Sequence, residues 1–500
     1  MIHMSERTLK DIMEQRKAKI ASFIEDGIEP YPHSYERTHL AQEALDQYEE
    51  KDEQEVISLA GRLMSQRIMG KASFANIMDG SGRIQLYISR EDIGEASYTM
   101  FKHMDIGDFL GVKGRMMTTR TGEKTLKVIE AKLLSKNIRP LPNVKEKDGQ
   151  LFDGFEDKEQ RYRKRYLDLI VNPEVKETFV KRSKIHKSIR NFFDTQGYLE
   201  VETPILQPLY GGASARPFKT HHNALDMTLY LRIADELYLK RLIIGGFEKV
   251  FEFSRNFRNE GMDRMHNPEF TVIEWYEAYV DYFYLMEQVE TLFKYLANDL
   301  EQSIFMYNDH EIDLTKPFQR ATMTELVQKY VGLDLEKADE KDLLKVCRDH
   351  KIDIPGNSNY GQLLDALFDG VVQSHLVEPT FVTEYPKAIS PLAKPKRDSD
   401  GTFVERFELF IAGNEFANAF TELNDPIDQR ERLEAQSGLR AAGDEEAQVL
   451  DEDFLQAMEY GMPPTGGVGM GLDRLVMLLT GNRSIRDVLL FPQMRSESKG

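Results

Sequence analysis

Two predicted strands joined by a short polar loop, at residues 250–257 and 270–276, place the strongest constraint on how this chain can fold. Aromatic and polar residues alternate along both, and successive side chains of a strand point to opposite faces. Phe270, Glu274 and Tyr276 therefore share one face of the second strand. An aromatic ring, a carboxylate and a phenol together suit the lining of a pocket better than a hydrophobic core. An amphipathic hairpin at a sheet edge is the alternative interpretation.

Two arginines stand where anion binding is expected. Arg258 follows the first strand, and with Glu260 two residues later it can hold a phosphate and an amine together. Arg474 ends a glycine-rich block at residues 466–474 and begins a helical pattern, where a cation is disfavoured by about 0.3–1 kcal/mol. We therefore expect Arg474 to face an anion or an aromatic ring. The glycine spacing is not that of a dinucleotide fingerprint, and no P-loop triplet occurs in the chain.

Residues 407–425 predict a hairpin around Gly413 and Asn414. Such a hairpin brings Glu408 and Glu415 close together, and paired carboxylates are unfavourable unless a cation lies between them. Mg²⁺ commonly takes one or two carboxylates together with substrate phosphates. Two exposed acids on an edge hairpin explain this block alone equally well.

The hydrophobic pattern changes along the chain and predicts an α+β protein. Within residues 1–50, apolar residues recur at helical spacing. From about residue 55, five short strand-like runs separated by turn signals predict a small barrel such as an OB-fold. Helices and strands then alternate to the end. The predicted divisions are a helical arm (1–50), a five-stranded barrel (51–140), a linker (141–160) and a C-terminal domain (161–500) with a helical insertion (310–370).

Composition narrows the possible functions. The net charge of −19 argues against broad non-specific nucleic-acid binding, so no DNA partner is expected, although residues 161–165 and 181–190 are locally basic. A solvated helix face explains such basic runs equally well. The sequence shows no long apolar run and no signal peptide, which predicts a cytoplasmic protein without a membrane span. Cys347 is the only cysteine, so neither an intrachain disulfide nor a cysteine-based zinc site is expected.

Eight pieces of the chain, in order between about residues 55 and 495, resemble the class II lysyl-tRNA synthetases of bacterial type. They are residues 67–74, 163–168, 200–205, 211–212 and 231–241, the blocks around Arg258 and Glu408, and residues 461–465 leading into Arg474. The resemblance implies a six-stranded antiparallel sheet flanked by helices and a barrel that binds the anticodon of tRNA(Lys). It also implies a homodimer with residues 192–204 at its interface, and a ligase that joins lysine to tRNA through a lysyl-adenylate.

The resemblance also implies roles for individual residues. Arg258 and Arg474 are the implied catalytic residues, with Arg258 at the α-phosphate of ATP and the substrate carboxylate, and Phe270 and Arg474 on the two faces of the adenine. The other implied nucleotide contacts are Glu260, His266, Asn267 and Glu408, and the implied Mg²⁺ ligands are Glu408 and Glu415. The implied lysine pocket consists of Gly212, Glu236, Arg258, Glu274, Tyr276, Asn418, Phe420 and Glu422.

The acidic pocket agrees with lysine as the substrate, because a molecule with two ammonium groups needs carboxylates at both ends of its site. Glu236 fits the α-ammonium, and Glu274 and Glu422 fit the ε-ammonium. Tyr276 and Phe420 can cover the methylene stem. An aspartyl- or asparaginyl-tRNA synthetase is the nearest alternative, but its pocket needs a cation here. A ligase that lysylates a protein and a non-catalytic RNA-binding relative are further alternatives.

In the predicted barrel, Phe74 can stack on a single-stranded base, while Arg67 and Gln85 can form hydrogen bonds with base edges. These three residues are therefore the expected anticodon contacts. A buried core aromatic is the alternative interpretation of Phe74.

Two local departures set further expectations. The family pattern places an arginine directly before His266, whereas this chain has Met265 there, preceded by Arg264. Glu415 and Asn418 have opposite parity in a regular strand. Both can face the same pocket only if a bulge or a loop intervenes.

Overall fold

The computed structural model describes two compact units, residues 1–157 and 158–500. The residues described are 6–49, 55–142, 144–147, 150–153, 155–335, 337–354, 358–441 and 448–497. The predicted start of the barrel and parts of the predicted linker and insertion lie outside the described residues. The domain boundaries proposed from the sequence stay predictions.

The first unit is built on a closed five-stranded barrel. Its helices are α1 (Glu6–Glu25), α2 (Ala41–Gln47), α3 (Arg90–Ile93) and α4 (Glu95–His103), and its strands are β1 (Ile57–Met69), β2 (Ala72–Met78), β3 (Arg83–Ser89), β4 (Phe109–Thr118) and β5 (Lys124–Ser135), followed by a hairpin of β6 (Val144–Lys147) and β7 (Gln150–Asp153). The strand order in the barrel is β1-β2-β3-β5-β4. Alternate residues such as Leu86, Val112 and Leu126 fill its interior. The predicted five-stranded OB-fold is confirmed.

The second unit is an eight-stranded sheet with helices packed on it. Its helices are α5 (Lys158–Arg163), α6 (Arg165–Val171), α7 (Pro173–Thr195), α8 (Glu236–Ile244), α9 (Tyr282–Asp299), α10 (Met323–Val331), α11 (Glu340–Asp349), α12 (Tyr360–Leu367), α13 (Pro426–Ala441), α14 (Glu452–Glu459), α15 (Leu472–Thr480) and α16 (Ile485–Val488). Its strands are β8 (Leu199–Glu200), β9 (Leu206–Gln207), β10 (Lys219–His222), β11 (Met227–Leu231), β12 (Lys249–Phe257), β13 (Glu269–Ala278), β14 (Ile304–Tyr307), β15 (His310–Asp313), β16 (Gln319–Thr322), β17 (Thr380–Pro386), β18 (Phe403–Ile411), β19 (Asn414–Thr421) and β20 (Thr465–Gly471).

The strand order of the large sheet is β16-β17-β18-β19-β20-β13-β12-β8. Every neighbouring pair from β17 to β12 is antiparallel, as the family resemblance implied. The expected six-stranded antiparallel sheet is extended at both edges, which corrects the prediction. The short strand β16 pairs in parallel with β17, and β8 pairs in parallel with β12, so the complete sheet is mixed. Because β16 lies within residues 310–370, that stretch is not wholly helical.

One face of this sheet forms the main hydrophobic core. Ile273 and Trp275 of β13, with Val468 and Met470 of β20, are fully buried in a cluster that includes the apolar faces of α9 and α15. The indole nitrogen of Trp275 donates a hydrogen bond to Gln288 on α9 at 2.7 Å. Because side chains alternate along each strand, the residues between these positions project from the opposite face. That opposite face carries the predicted site.

Candidate active site

Cross-strand pairing arranges the predicted pocket residues in two rows. The first row is Glu274, Gly469, Asn418 and Glu408, and the second is Tyr276, Gly467, Phe420 and Arg406. Residues directly opposite each other on neighbouring strands project from the same face of the sheet. Residues that are far apart in the sequence are therefore brought onto one face of the sheet, to which β20 contributes Gly467 and Gly469.

The glycines of β20 leave room that a larger residue would fill. A Cβ atom at Gly467 would overlap both the Glu422 carboxylate and the Tyr276 ring. Gly212 has a positive φ of 83°, and a Cβ there would lie 3.0 Å from the Cβ of Glu236. Main chain therefore forms the surface between Glu422 and Tyr276, and Gly212 borders Glu236.

Two of the predicted pocket acids converge on Lys240, a residue that the sequence analysis missed. The Lys240 Nζ lies 2.5 Å from Glu236 Oε1 and 2.5 Å from Glu422 Oε2, and its side chain is fully buried. Burial raises the pKa of both carboxyl groups, and the Lys240 ammonium opposes that rise. In the sequence, Glu236 and Lys240 stand four residues apart on one helix, a spacing typical of ion pairs.

Glu274 faces a second carboxyl group that the sequence analysis also missed, that of Asp235. Asp235 is buried, and its Oδ1 accepts hydrogen bonds from Ser254 at 2.8 Å and Asn256 at 3.2 Å. The hydroxyl of Tyr276 donates to Glu274 Oε2 at 3.3 Å. Burial and the charge of Asp235 raise the pKa of Glu274 well above its ordinary value. A cation placed beside this pair would relieve their repulsion.

Arg258 lies against the ring of Phe270, with its guanidinium carbon 5.2 Å from the ring centroid. Its Nε is buried, with no hydrogen-bond partner among the residues that the structure describes. Burial lowers the pKa of Arg258, and the nearby acids Glu415 and Glu260 oppose this shift. A buried guanidinium nitrogen without an acceptor is a natural site for an anionic ligand oxygen. Glu260 itself is exposed and accepts from the Arg216 amide at 3.3 Å.

Arg474 joins the first turn of α15 to two other predicted residues. Its Nη1 donates to the Glu415 carbonyl oxygen at 2.8 Å and lies 3.4 Å from the Glu415 carboxylate. Its Nη2 lies 3.1 Å from Nε2 of His266, whose Nδ1 contacts the carboxylate of Asp263 at 2.9 Å. The expected anion next to Arg474 is therefore Glu415 in this structure.

Asn267 is buried, and both ends of its amide contact backbone. Its Nδ2 donates to the Glu269 carbonyl at 2.6 Å, and its Oδ1 accepts from the Gln493 amide at 3.2 Å. Met265 packs against the main core, which accounts for an apolar residue at a position where the family pattern has arginine. Arg264, by contrast, is exposed.

A β-bulge places the two predicted metal ligands on one face. The register between β18 and β19 shifts so that β19 carries one extra residue, Phe416. Phe416 and Ala417 both belong to the main core, so Glu415 emerges on the same face as Asn418. The bulge expected from the parity of these two residues is confirmed.

Glu408 and Glu415 fit a divalent cation by their chemistry. Burial raises the pKa of Glu408 to about 8, Arg406 opposes this rise, and the charge of Glu415 adds to it. Tyr385 donates to Glu408 at 2.9 Å, and Arg406 pairs with its other oxygen. No group of three or more metal-ligating side chains occurs within the described part of the chain. A cation here would therefore need further oxygens, such as those of substrate phosphates.

On the barrel, Phe74 stands on the outer surface and not in the core, which excludes the core-aromatic interpretation. Its ring centroid lies 5.3 Å from that of Tyr87, its direct neighbour on β3. Arg67 is exposed and lies opposite Phe74 on β1. The sequence analysis did not include Tyr87 among the barrel residues expected to contact RNA, although the alternation of β3 places it on the same face as Gln85.

Gln85 lies on the same surface, but its amide is engaged within the barrel. Its Nε2 donates to Glu123 at 2.7 Å, and its Oε1 accepts from the hydroxyl of Thr125 at 2.8 Å. These bonds use one N–H of the amide and one lone pair of its oxygen, so the second N–H and the second lone pair are what Gln85 can offer to a base.

Comparison with protein families agrees with the fold and the site. Residues 157–495 match the model of class II tRNA synthetases (D, K and N), and residues 57–134 match that of the OB-fold nucleic acid binding domain. The chain belongs to the class II aminoacyl-tRNA synthetases. No helix in the described ranges is long and apolar enough to cross a membrane.

The most similar curated proteins define the subgroup. The chain is 50% identical over 491 residues to the lysine–tRNA ligase of Moorella thermoacetica. The aligned region covers 98% of this chain and 99% of that protein. It is 50% identical over 496 residues to the same enzyme of Halalkalibacterium halodurans, with 97% of each chain covered. It is 51% identical over 493 residues to the lysine–tRNA ligase of Thermoanaerobacter pseudethanolicus, and the aligned region covers 98% of this chain and 97% of that protein. Within the class, the chain belongs to the lysine–tRNA ligase family.

Proposed function

We propose that this protein activates L-lysine with ATP to form lysyl-adenylate and pyrophosphate, and then transfers lysine to the 3′ end of tRNA(Lys). The observation that carries this proposal is the set of acids Glu236, Glu274 and Glu422 around the glycines of β20, with Arg258 directly after the end of β12. This arrangement matches a substrate with two ammonium groups and one carboxylate. An aspartyl or asparaginyl substrate needs a free cation, and two carboxylates already hold the ammonium of Lys240.

Lysine recognition uses the carboxylate oxygens that Lys240 leaves available. Glu422 Oε1 is buried, with no hydrogen-bond partner within the described ranges, and it borders Gly467 beside Tyr276. It suits the ε-ammonium, together with Glu274. Glu236 Oε2 faces Gly212, 3.8 Å from the position of a Cβ there, and suits the α-ammonium. Phe420, in the same row as Tyr276, covers the methylene stem.

In the adenylation step, an oxygen of the lysine carboxylate attacks the α-phosphorus of ATP. The bond from that phosphorus to the bridging oxygen breaks, and pyrophosphate leaves. Arg258 holds the substrate carboxylate and the α-phosphate together and neutralises the charge that develops between them. Phe270 and Arg474 lie on either side of the adenine, with His266 and Glu260 near the nucleotide.

Mg²⁺ is the proposed cofactor, with Glu408 and Glu415 as its protein ligands. When bound, it supplies positive charge to the phosphates of ATP. In the structure described here, these acids are paired with Arg406 and Arg474.

The barrel is the proposed anticodon-binding surface. Phe74 stacks on a base, and Arg67 contributes charge and hydrogen bonds beside it. We also propose a cytoplasmic homodimer with residues 192–204 at its interface. The exposed apolar residues Leu199, Ile205 and Leu206, in and next to this stretch, support the interface.

The decisive experiment is amino-acid-dependent ATP–pyrophosphate exchange across all twenty amino acids, followed by charging of bulk tRNA. We expect exchange with lysine and charging of tRNA(Lys) only. Arg258→Ala should reduce exchange by about 10³-fold, because it removes charge stabilisation in the transition state. Arg255→Ala is the matched control, since Arg255 stands three residues earlier, on β12, but is exposed, with its Nε 3.5 Å from the Glu269 carboxylate. Exchange with aspartate or asparagine, or near-normal exchange by Arg258→Ala, would contradict the proposal.

A further inference from the structure

Lys240 occupies an unusual position for a basic residue in a site built for a basic substrate. It lies on α8, has no exposed surface, and its ammonium touches the carboxylates of Glu236 and Glu422. Each of these acids gives one oxygen to Lys240. The second oxygen of Glu422 lies beside Gly467, and that of Glu236 lies beside Gly212.

A stabilising role alone does not explain this arrangement. A buried ion pair contributes little net stability compared with apolar residues of the same volume, because desolvation of the charges offsets their attraction. The other ionisable groups facing the cluster are Asp235 before α8, Tyr276 and Glu274 on β13, and Arg406 on β18. Most of these are acidic, so loss of Lys240 would raise the pKa of both carboxyl groups further.

We propose that Lys240 is a positioning residue for amino-acid selection, which holds one oxygen of Glu236 and one of Glu422 and so directs their second oxygens at the two ammonium groups of the substrate. This inference rests on the proposed function. Its consequence is that both carboxyl groups are oriented before the substrate arrives. Loss of Lys240 should therefore weaken lysine recognition much more than ATP recognition.

The test is pyrophosphate exchange by the full-length protein carrying Lys240→Met, with lysine and ATP varied separately between pH 6.5 and 9. We expect the KM for lysine to rise by about 100-fold at pH 7, while the KM for ATP stays within about threefold. The lysine kcat/KM of the variant should recover as pH rises, because its neutral carboxyl groups then ionise. Titration of the substrate lysine changes kcat/KM of the wild type and of the variant by the same factor, so it cancels in the ratio of the two values. Lys240→Arg, which keeps the cation, should retain the wild-type pH profile.

The barrel supplies a matched control. Lys136 is also fully buried between two carboxylates, 2.6 Å from Asp105 and 3.0 Å from Asp108. Lys136→Met removes an equivalent ion triad but should leave the KM for lysine and its pH profile unchanged. If Lys136→Met reproduces the changes of Lys240→Met, a general loss of stability is responsible and the proposal is overturned.

An unchanged KM and pH profile in Lys240→Met also overturn the proposal. If that variant does not fold, Lys240→Gln replaces it, because the glutamine amide can still donate a hydrogen bond but carries no charge. A raised KM for lysine with a normal KM for ATP then supports the proposal, and a normal KM for lysine contradicts it. Absence of lysine-dependent exchange in the wild type would instead overturn the proposed function itself, together with this inference.

Discussion

The backbone amide of Thr271 donates a hydrogen bond to the buried carboxylate of Asp473 at 2.8 Å. This bond ties β13, which carries Phe270, to the first turn of α15, where Arg474 is the next residue. Arg182 of α7 binds the other carboxylate oxygen of Asp473 at 2.6 Å. An acid in the first turn of a helix is also favourable toward the helix dipole. Asp473 therefore sets the distance between the two groups proposed to enclose the adenine.

Asp473→Asn should raise the KM for ATP by about tenfold and lower kcat, because a misplaced group near the reacting atoms reduces the rate strongly. Breaking the buried pair with Arg182 should also lower Tm. Steady-state pyrophosphate exchange and thermal unfolding measure both effects. Asp453→Asn is the control, since Asp453 is exposed and pairs with Arg241. A change in the KM for lysine with a normal KM for ATP would contradict this role.

Gly467→Ala should reduce lysine-dependent exchange by at least about 100-fold. Its added methyl group would overlap Glu422 and the Tyr276 ring, and close packing leaves no space for relaxation. Gly438→Ala on α13 is a suitable comparison, because a Cβ there meets nothing within 4 Å. The KM for lysine and the Tm of both variants should be measured. Normal lysine activation by Gly467→Ala would show that the pocket lies elsewhere.

Phe74→Ala and Tyr87→Ala should each raise the KM for tRNA(Lys) by about tenfold or more, since stacking on one base contributes roughly 1–3 kcal/mol. Lysyl-adenylate formation should be unchanged, because the barrel takes no part in that step. Ile129→Ala, an exposed apolar residue on β5, is the control. Equal loss of exchange and charging would be inconsistent with an anticodon role.

Glu408→Gln should stabilise the ligand-free protein increasingly as pH rises. Burial raises the pKa of Glu408 to about 8 from its ordinary value of 4.5. The folded state therefore binds a proton that the unfolded state has released, and its stability falls as pH rises from about 4.5 to about 8. The variant lacks this dependence, so its Tm advantage should grow by a few degrees across that window. A constant difference at all pH values would show that Glu408 is already ionised.

Much of the site could be predicted from the sequence because strand alternation has a period of two. Glu274 and Tyr276 were expected on one face, and the structure places them there with Asn418 and Phe420. Glu415 lies on this face only because of the bulge in β19. The opposite parity of Glu415 and Asn418 implied a bulge or a loop between them, but the sequence did not show at which residue it lies.

Tertiary partners were harder to infer. Lys240 was missed because its second partner, Glu422, approaches from another strand late in the chain. The internal hydrogen bonds of Asn267 and Gln85 were hidden for the same reason, since a sequence shows the donors and acceptors of an amide but not which of them are engaged.

The glycines of β20 also limit how this enzyme could be redesigned. Because β20 contributes only Gly467 and Gly469 to the face of the proposed lysine pocket, no substitution at these two positions can deepen that pocket, and a larger residue at either makes it shallower. Acceptance of lysine analogues with bulky ε-substituents must come from trimming the aromatic walls at Tyr276 and Phe420. A library for non-natural amino acids should therefore vary these walls and leave the strand untouched.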